Sequence, residues 1–219
     1  MHVNDYGTFL GTLLTFATPV VHPTVLYRRE AVQAAGGYDE VNAPCEDYAL
    51  WCRMALRRQM VVTIPRPLMM VRAHAQQQSR TRAALQHAKA RQAHEALVAA
   101  CGPGPSAPVV SALLRMDDEG WARCRSARDA RDALAALGET LEAARDRFRL
   151  SQAEDRQLRH RVFWWLGHGA FFGILQQRRQ SVSVYLATVR EDPRMLRYPS
   201  VGLYPLAWLL SPCFVPAIR

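Results

Sequence analysis

The sequence predicts an α/β N-terminal part over residues 1–100 and a mainly α-helical C-terminal domain over 109–219, joined by a linker over 101–108. Three observations predict this division. Up to Arg72, short runs rich in β-branched and aromatic residues alternate with helix-periodic segments. After Ser79, alanine, glutamine and arginine dominate through Ala100 and β-branched residues nearly vanish, which favours helix. The run Cys101-Gly102-Pro103-Gly104-Pro105-Ser106-Ala107-Pro108 then breaks the pattern more sharply than any other stretch.

Residues 7–18 mix glycine and threonine with leucine and phenylalanine and suit a helix or a loop. Val20 to Arg28 has strand composition. Glu30 to Ala35 reads as a short helix stopped by Gly36-Gly37, because glycine adopts the left-handed conformation that such a stop requires. Asp47 to Arg58 reads as a helix, with Tyr48, Trp51, Cys52 and Ala55 forming an apolar stripe at helical spacing. Met60 to Ile64 and Leu68 to Arg72 read as strands, punctuated by Pro65 and Pro67. Beyond the linker, Asp129 to Leu150 is a helix rich in alanine, arginine and acid. Arg161 to Gln177 and Val182 to Glu191 form a helical hairpin closed by Asp192-Pro193. Small residues at Ala170, Gly173 and Ala187 allow its helices to approach closely.

The chain has 219 residues, of which 49% are hydrophobic and 21% charged, a globular composition long enough to bury a real core. Its net charge is +9, carried almost wholly by arginine, since Lys89 is the only lysine. A basic surface of this kind suits simple solvation first and anionic lipid headgroups or nucleotide phosphates second, and no recognition motif points to specific nucleic-acid binding. Cys45, Cys52, Cys101, Cys124 and Cys213 are odd in number and irregularly spaced, giving neither a disulfide framework nor a CxxC metal pair. A reducing cytoplasm fits that usage. Met1 to Asp5 lacks the basic and apolar regions of a signal peptide. The apolar stretches Val162–Leu175 and Leu203–Val215 fall short of the roughly 20 residues of a spanning helix, so both read as buried or interfacial.

The chemistry concentrates between His22 and Ser79. Glu46-Asp47 is an adjacent acidic pair at the start of the apolar helix, just after the turn-rich Gly36-Gly37-Tyr38-Asp39-Glu40. Carboxylates there suit helix capping, by accepting orphan N–H groups and opposing the macrodipole, or general base chemistry on a hydroxyl. Trp51, one turn further on, suits either the core or stacking on a sugar ring. Arg53 suits pairing with a phosphate or with an internal acid, and reads first as structural.

Five pieces stand in a fixed order: His22-Pro23-Thr24-Val25-Leu26-Tyr27-Arg28-Arg29, Gly36 to Glu40, Glu46-Asp47-Tyr48-Ala49-Leu50-Trp51-Cys52-Arg53, Ile64-Pro65-Arg66-Pro67-Leu68, and Val71-Arg72-Ala73-His74 with Ser79. Together they resemble the second half of the inverting glycosyltransferases of family 2, which have the GT-A fold. The resemblance covers residues 13 to 80. It implies an incomplete GT-A domain that moves a sugar from a nucleotide-sugar donor to a saccharide or lipid-linked acceptor in cell-envelope polysaccharide synthesis. Asp47 would be the catalytic base, and Glu46 would orient the acceptor or tune its neighbour. Trp51, Tyr38 and Asp39 would meet the acceptor. His74 would complete a Mn²⁺ or Mg²⁺ site or touch the diphosphate, and Arg72 and Arg80 would neutralise the leaving group.

The donor half of that family ends in an Asp-x-Asp metal motif, and this sequence contains none; Asp117-Asp118-Glu119 lies past the linker. The expectation is therefore an acceptor-side half whose donor-binding half is missing or supplied separately. The helical tail is expected to touch the inner face of the membrane peripherally. A non-enzymatic remnant or protein-binding module is the rival expectation.

Overall fold

Asp5 begins the first helix by accepting the Thr8 N–H at 2.8 Å, as a capping carboxylate does. The computed structural model describes residues 3–70, 72, 81–117, 122, 126–175, 180–191 and 193–197. Among these the chain forms eight α-helices and no β-strand. They are α1 (Tyr6–Leu14), α2 (Arg29–Ala34), α3 (Glu46–Leu56), α4 (Ala83–Cys101), α5 (Ala107–Arg115), α6 (Ala127–Arg147), α7 (Gln152–Leu175) and α8 (Gln180–Glu191). Short 3-10 turns stand at His22–Thr24, Glu40–Asn42, Gly104–Ser106 and Pro193–Arg197.

The predicted α/β N-terminal part is thus corrected to helix and irregular chain, and the described residues do not build an incomplete GT-A fold. Val20–Arg28 contains a 3-10 turn in place of a strand, with extended backbone at Val21 and Val25. Met60–Ile64 also forms no strand; Thr63 donates its N–H to the Val3 carbonyl at 2.8 Å. Leu68–Met70 and Arg72 form none either, and residue 71 lies outside the described residues. The physical reason is common to all three. β-branched residues favour a strand through cross-strand packing and burial of one face. Here Val21, Leu26, Val62, Ile64 and Leu68 stay exposed, with no neighbouring strand to cover them.

The helices were legible. α2 ends as expected at Gly36-Gly37, with φ +86° and +67°. The Gly36 and Gly37 N–H groups return to the carbonyls of Gln33 and Val32. α7 and α8 pack along each other as a hairpin, but α7 already begins at Gln152 rather than at Arg161, and residues 176–179 lie outside the described residues. α6 starts on a reciprocal capping box between Ser126 and Asp129.

The Gly/Pro break does not separate two cores. Its residues occupy a few positions between α4 and α5, and α1 lies along α7. Gly7 and Gly11, one turn apart on α1, make that approach possible. A Cβ on Gly7 would stand 1.9 Å from the Glu154 carbonyl oxygen, and one on Gly11 3.0 Å from the Arg161 Cβ. Phe9, Leu10, Leu13, Leu50, Trp51, Leu97, Leu137, Leu141 and Leu158 share one buried cluster. α3 packs on α4, and α4 in turn on α5 and α6. No helix of the described residues is long and apolar enough to cross a membrane.

Candidate functional site

The start of α3 supplies the site. Cys45 is its N-cap residue but makes no side-chain capping bond. Asp47 supplies one instead, its Oδ1 accepting the Tyr48 N–H at 2.7 Å. Asp47 is half-buried, and its Oδ2 has no hydrogen-bond partner among the described residues. Asp47 lines a groove of about 390 Å³. Phe16, Cys45, Asp47 and Tyr48 make one side, and Gln86 and His87 of α4 lie opposite. Tyr48 is fixed by donating its hydroxyl to the Leu13 carbonyl at 2.9 Å. Gln86 ties α4 to the loop before α3 by donating to the Pro44 carbonyl at 3.2 Å.

The loop before α3 is held from within α3. Arg53 donates from Nε to the Ala35 carbonyl at 2.8 Å and from a terminal nitrogen to the Gly37 carbonyl at 2.5 Å. This confirms Arg53 as a structural residue and sets the position of Tyr38 and Asp39. Tyr38 is partly exposed, and its hydroxyl lies 2.9 Å from His22 Nε2. Its ring stands 6.4 Å from that of Tyr27. Burial first, then the bond to Tyr27 and the charges of Tyr27, Asp47 and Glu46, push the Tyr38 hydroxyl up to about 12. Tyr38 therefore shares an electrostatic neighbourhood with both predicted carboxylates.

The other predicted residues are placed differently. Asp39 turns into its own loop, accepting from the Val41 N–H at 2.8 Å and from Asn42 Nδ2 at 3.0 Å. Glu46 keeps one buried carboxylate oxygen without a partner among the described residues. Trp51 has no exposed surface and lies in the core, so its ring offers no face to a sugar. Arg72 is exposed. His74 and Arg80 lie outside the described residues.

Sequence reasoning missed the opposite wall. Gln86 and His87 reach the groove only because α3 packs on α4, and no local signal marks them. His22 and Tyr27 were quoted within a motif, yet their contact with Tyr38 depends on the intervening chain folding back.

Two chemistries find no support here. Burial, aided by Asp47 and Glu46, pushes the Cys45 thiol up to about 12, so it is no ready nucleophile. Among the described residues no three His, Cys, Asp or Glu side chains stand close enough to hold a metal ion. The Mn²⁺ or Mg²⁺ implied by the resemblance therefore finds no donor set among them. Compared with known proteins, the chain matches no family model, no curated protein and no solved structure.

Proposed function

We propose that this chain forms the acceptor side of a sugar-transfer enzyme. A saccharide or lipid-linked acceptor would lie against the start of α3, and the sugar would come from a nucleotide-sugar donor bound outside the described residues. The observation that carries this reading is the divided use of the Asp47 carboxylate. One oxygen is anchored to the Tyr48 N–H and the other has no partner among the described residues, on a side chain that lines the groove. A general base needs that combination, a fixed orientation and an acceptor atom within reach of a substrate proton. Asp47 would take the proton of the acceptor hydroxyl as its oxygen attacks the anomeric carbon. Tyr38, aromatic and partly exposed, would lie along the bound sugar. Peripheral contact with the inner face of the membrane would present a lipid-linked acceptor.

A second reading, a non-enzymatic protein-binding module, is favoured by a different observation. Val62, Ile64, Leu68, Met69 and Met70 are exposed in one short irregular segment. Apolar side chains gathered in this way mark interaction surfaces.

Asp47→Asn separates the two readings. The assay is transfer from nucleotide sugars, in the polypeptide context that supplies the donor site, with helix content followed by circular dichroism. The expected result is a loss of about 10²- to 10⁴-fold in turnover, the usual range for a removed base, with the fold intact. Unchanged transfer would leave Asp47 as a helix-terminal residue and favour the binding module.

A further inference from the structure

A second groove lies at the far end of α3, roughly 15 Å from Asp47 at the helical rise per residue. Leu56, Arg57 and Arg58 at the end of α3 face Arg147, Phe148 and Arg149 at the end of α6 around about 420 Å³. The acid at this place is already taken, because Glu154 accepts from Arg58 at 2.8 and 3.0 Å. Arg58 also donates to the Phe148 carbonyl and lies 4.9 Å over the Tyr6 ring, so it is built into the fold. Arg147 stacks 5.6 Å over the Phe148 ring. Arg57 and Arg149 are exposed, and their guanidinium groups bond nothing among the described residues.

The backbone gives an independent argument. Arg58 and Arg149 each stand just past a helix end with φ of +57° and +47°. Their N–H groups return to the carbonyls of Ala55 at 2.8 Å and Asp146 at 3.2 Å. That left-handed position favours glycine. Arg58 offsets the strain with its bonds to Glu154 and Phe148. Arg149 makes no such bond. Helix dipoles welcome cations at both C-terminal ends, but they do not explain an arginine at the strained position itself. The left-handed turn itself ends α6, but a glycine would end it without strain, so what asks for a function is the arginine at that position.

We infer that this groove binds a phosphate or diphosphate group, with Arg57, Arg147 and Arg149 as its donors. Guanidinium forks match phosphate oxygens in pairs, and like charges whose one neighbouring carboxylate, Glu154, is held by Arg58 become favourable once an anion enters. A free phosphorylated metabolite and an anionic lipid headgroup offer the same chemistry.

The experiment uses the full chain and two probes. Inorganic pyrophosphate is titrated calorimetrically, and phosphatidylcholine vesicles with and without phosphatidylglycerol are tested by cosedimentation. The paired substitution Arg57→Gln with Arg149→Gln is expected to weaken binding about tenfold or more, as the loss of two charge-assisted contacts should. Arg128→Gln with Arg131→Gln, exposed on α6, removes the same charge and is expected to leave binding unchanged. Arg149→Gly is expected to raise the melting temperature by relieving the strained φ while weakening binding, which separates folding from recognition. Dependence on Arg57 and Arg149 seen with pyrophosphate assigns a soluble ligand; the same dependence seen with vesicles alone assigns a headgroup. The inference is overturned if the parent chain binds neither probe or if both paired variants lose binding equally. An Arg149→Gly chain that binds undiminished overturns it too.

Discussion

His94 is fully buried where three segments meet. Its Nε2 lies 2.8 Å from the Leu14 carbonyl, which only accepts, so that nitrogen carries the proton. Nδ1 lies 2.8 Å from Ser111 Oγ, which in turn accepts from Arg115 at 2.8 Å. Burial first, with the Arg115 charge adding, lowers the imidazole from 6.5 to about 4. Between those values the unfolded chain binds a proton that the folded chain refuses. Stability is therefore complete above pH 6.5 and falls as the pH drops toward 4. Urea unfolding at pH 7 and pH 5 should show a loss of about 2 kcal/mol from this group. His94→Leu should flatten that dependence while lowering stability at pH 7, because Ser111 and the Leu14 carbonyl lose their partner. None of this was legible in the sequence, where His94 is one histidine in a helix-favouring run. Asp47 was legible, because an acidic pair at a helix start is a local pattern. Trp51 was legible only as a choice, since spacing alone does not say which apolar face finds a partner.

At the scale of the element, helix ends explain what the sequence revealed and what it hid. The stop after α2 was readable because Gly36 occupies the left-handed position. The ends of α1, α3 and α6 use the same geometry with Phe16, Arg58 and Arg149, which carry no such signal. At Gly36 the cost of a side chain should be purely backbone, since a Cβ would meet nothing nearer than Arg53 Nε at 3.8 Å. Gly36→Ala is expected to cost about 1 kcal/mol, read as a lower urea midpoint with helix content unchanged. The strands were misread for the converse reason. β propensity reports how well a side chain suits a paired and half-buried surface, and no local pattern reveals whether a partner strand exists. Val62, Ile64, Leu68, Met69 and Met70 are then left exposed on irregular chain.

For the whole molecule, the α1–α7 contact links helices far apart in the chain across the Gly/Pro break. A composition boundary marked a change in local preference there, and the core crosses it. Gly7→Val tests that contact, because the group in its way is the backbone of Glu154, which cannot turn aside as a side chain would. The substitution is expected to cost about 2 kcal/mol or more by overpacking, measured by urea unfolding, with α1 and α7 losing amide-exchange protection together. The same contact sets an order of events during synthesis. α1 is translated ahead of α7, so the surface against which its glycines must lie follows only after the intervening helices. Closing so long a loop is slow, and until it closes α1, already against α3 and α4, keeps its glycine face uncovered. α1 must wait for α7, so chaperone demand should fall only once α7 is free to dock.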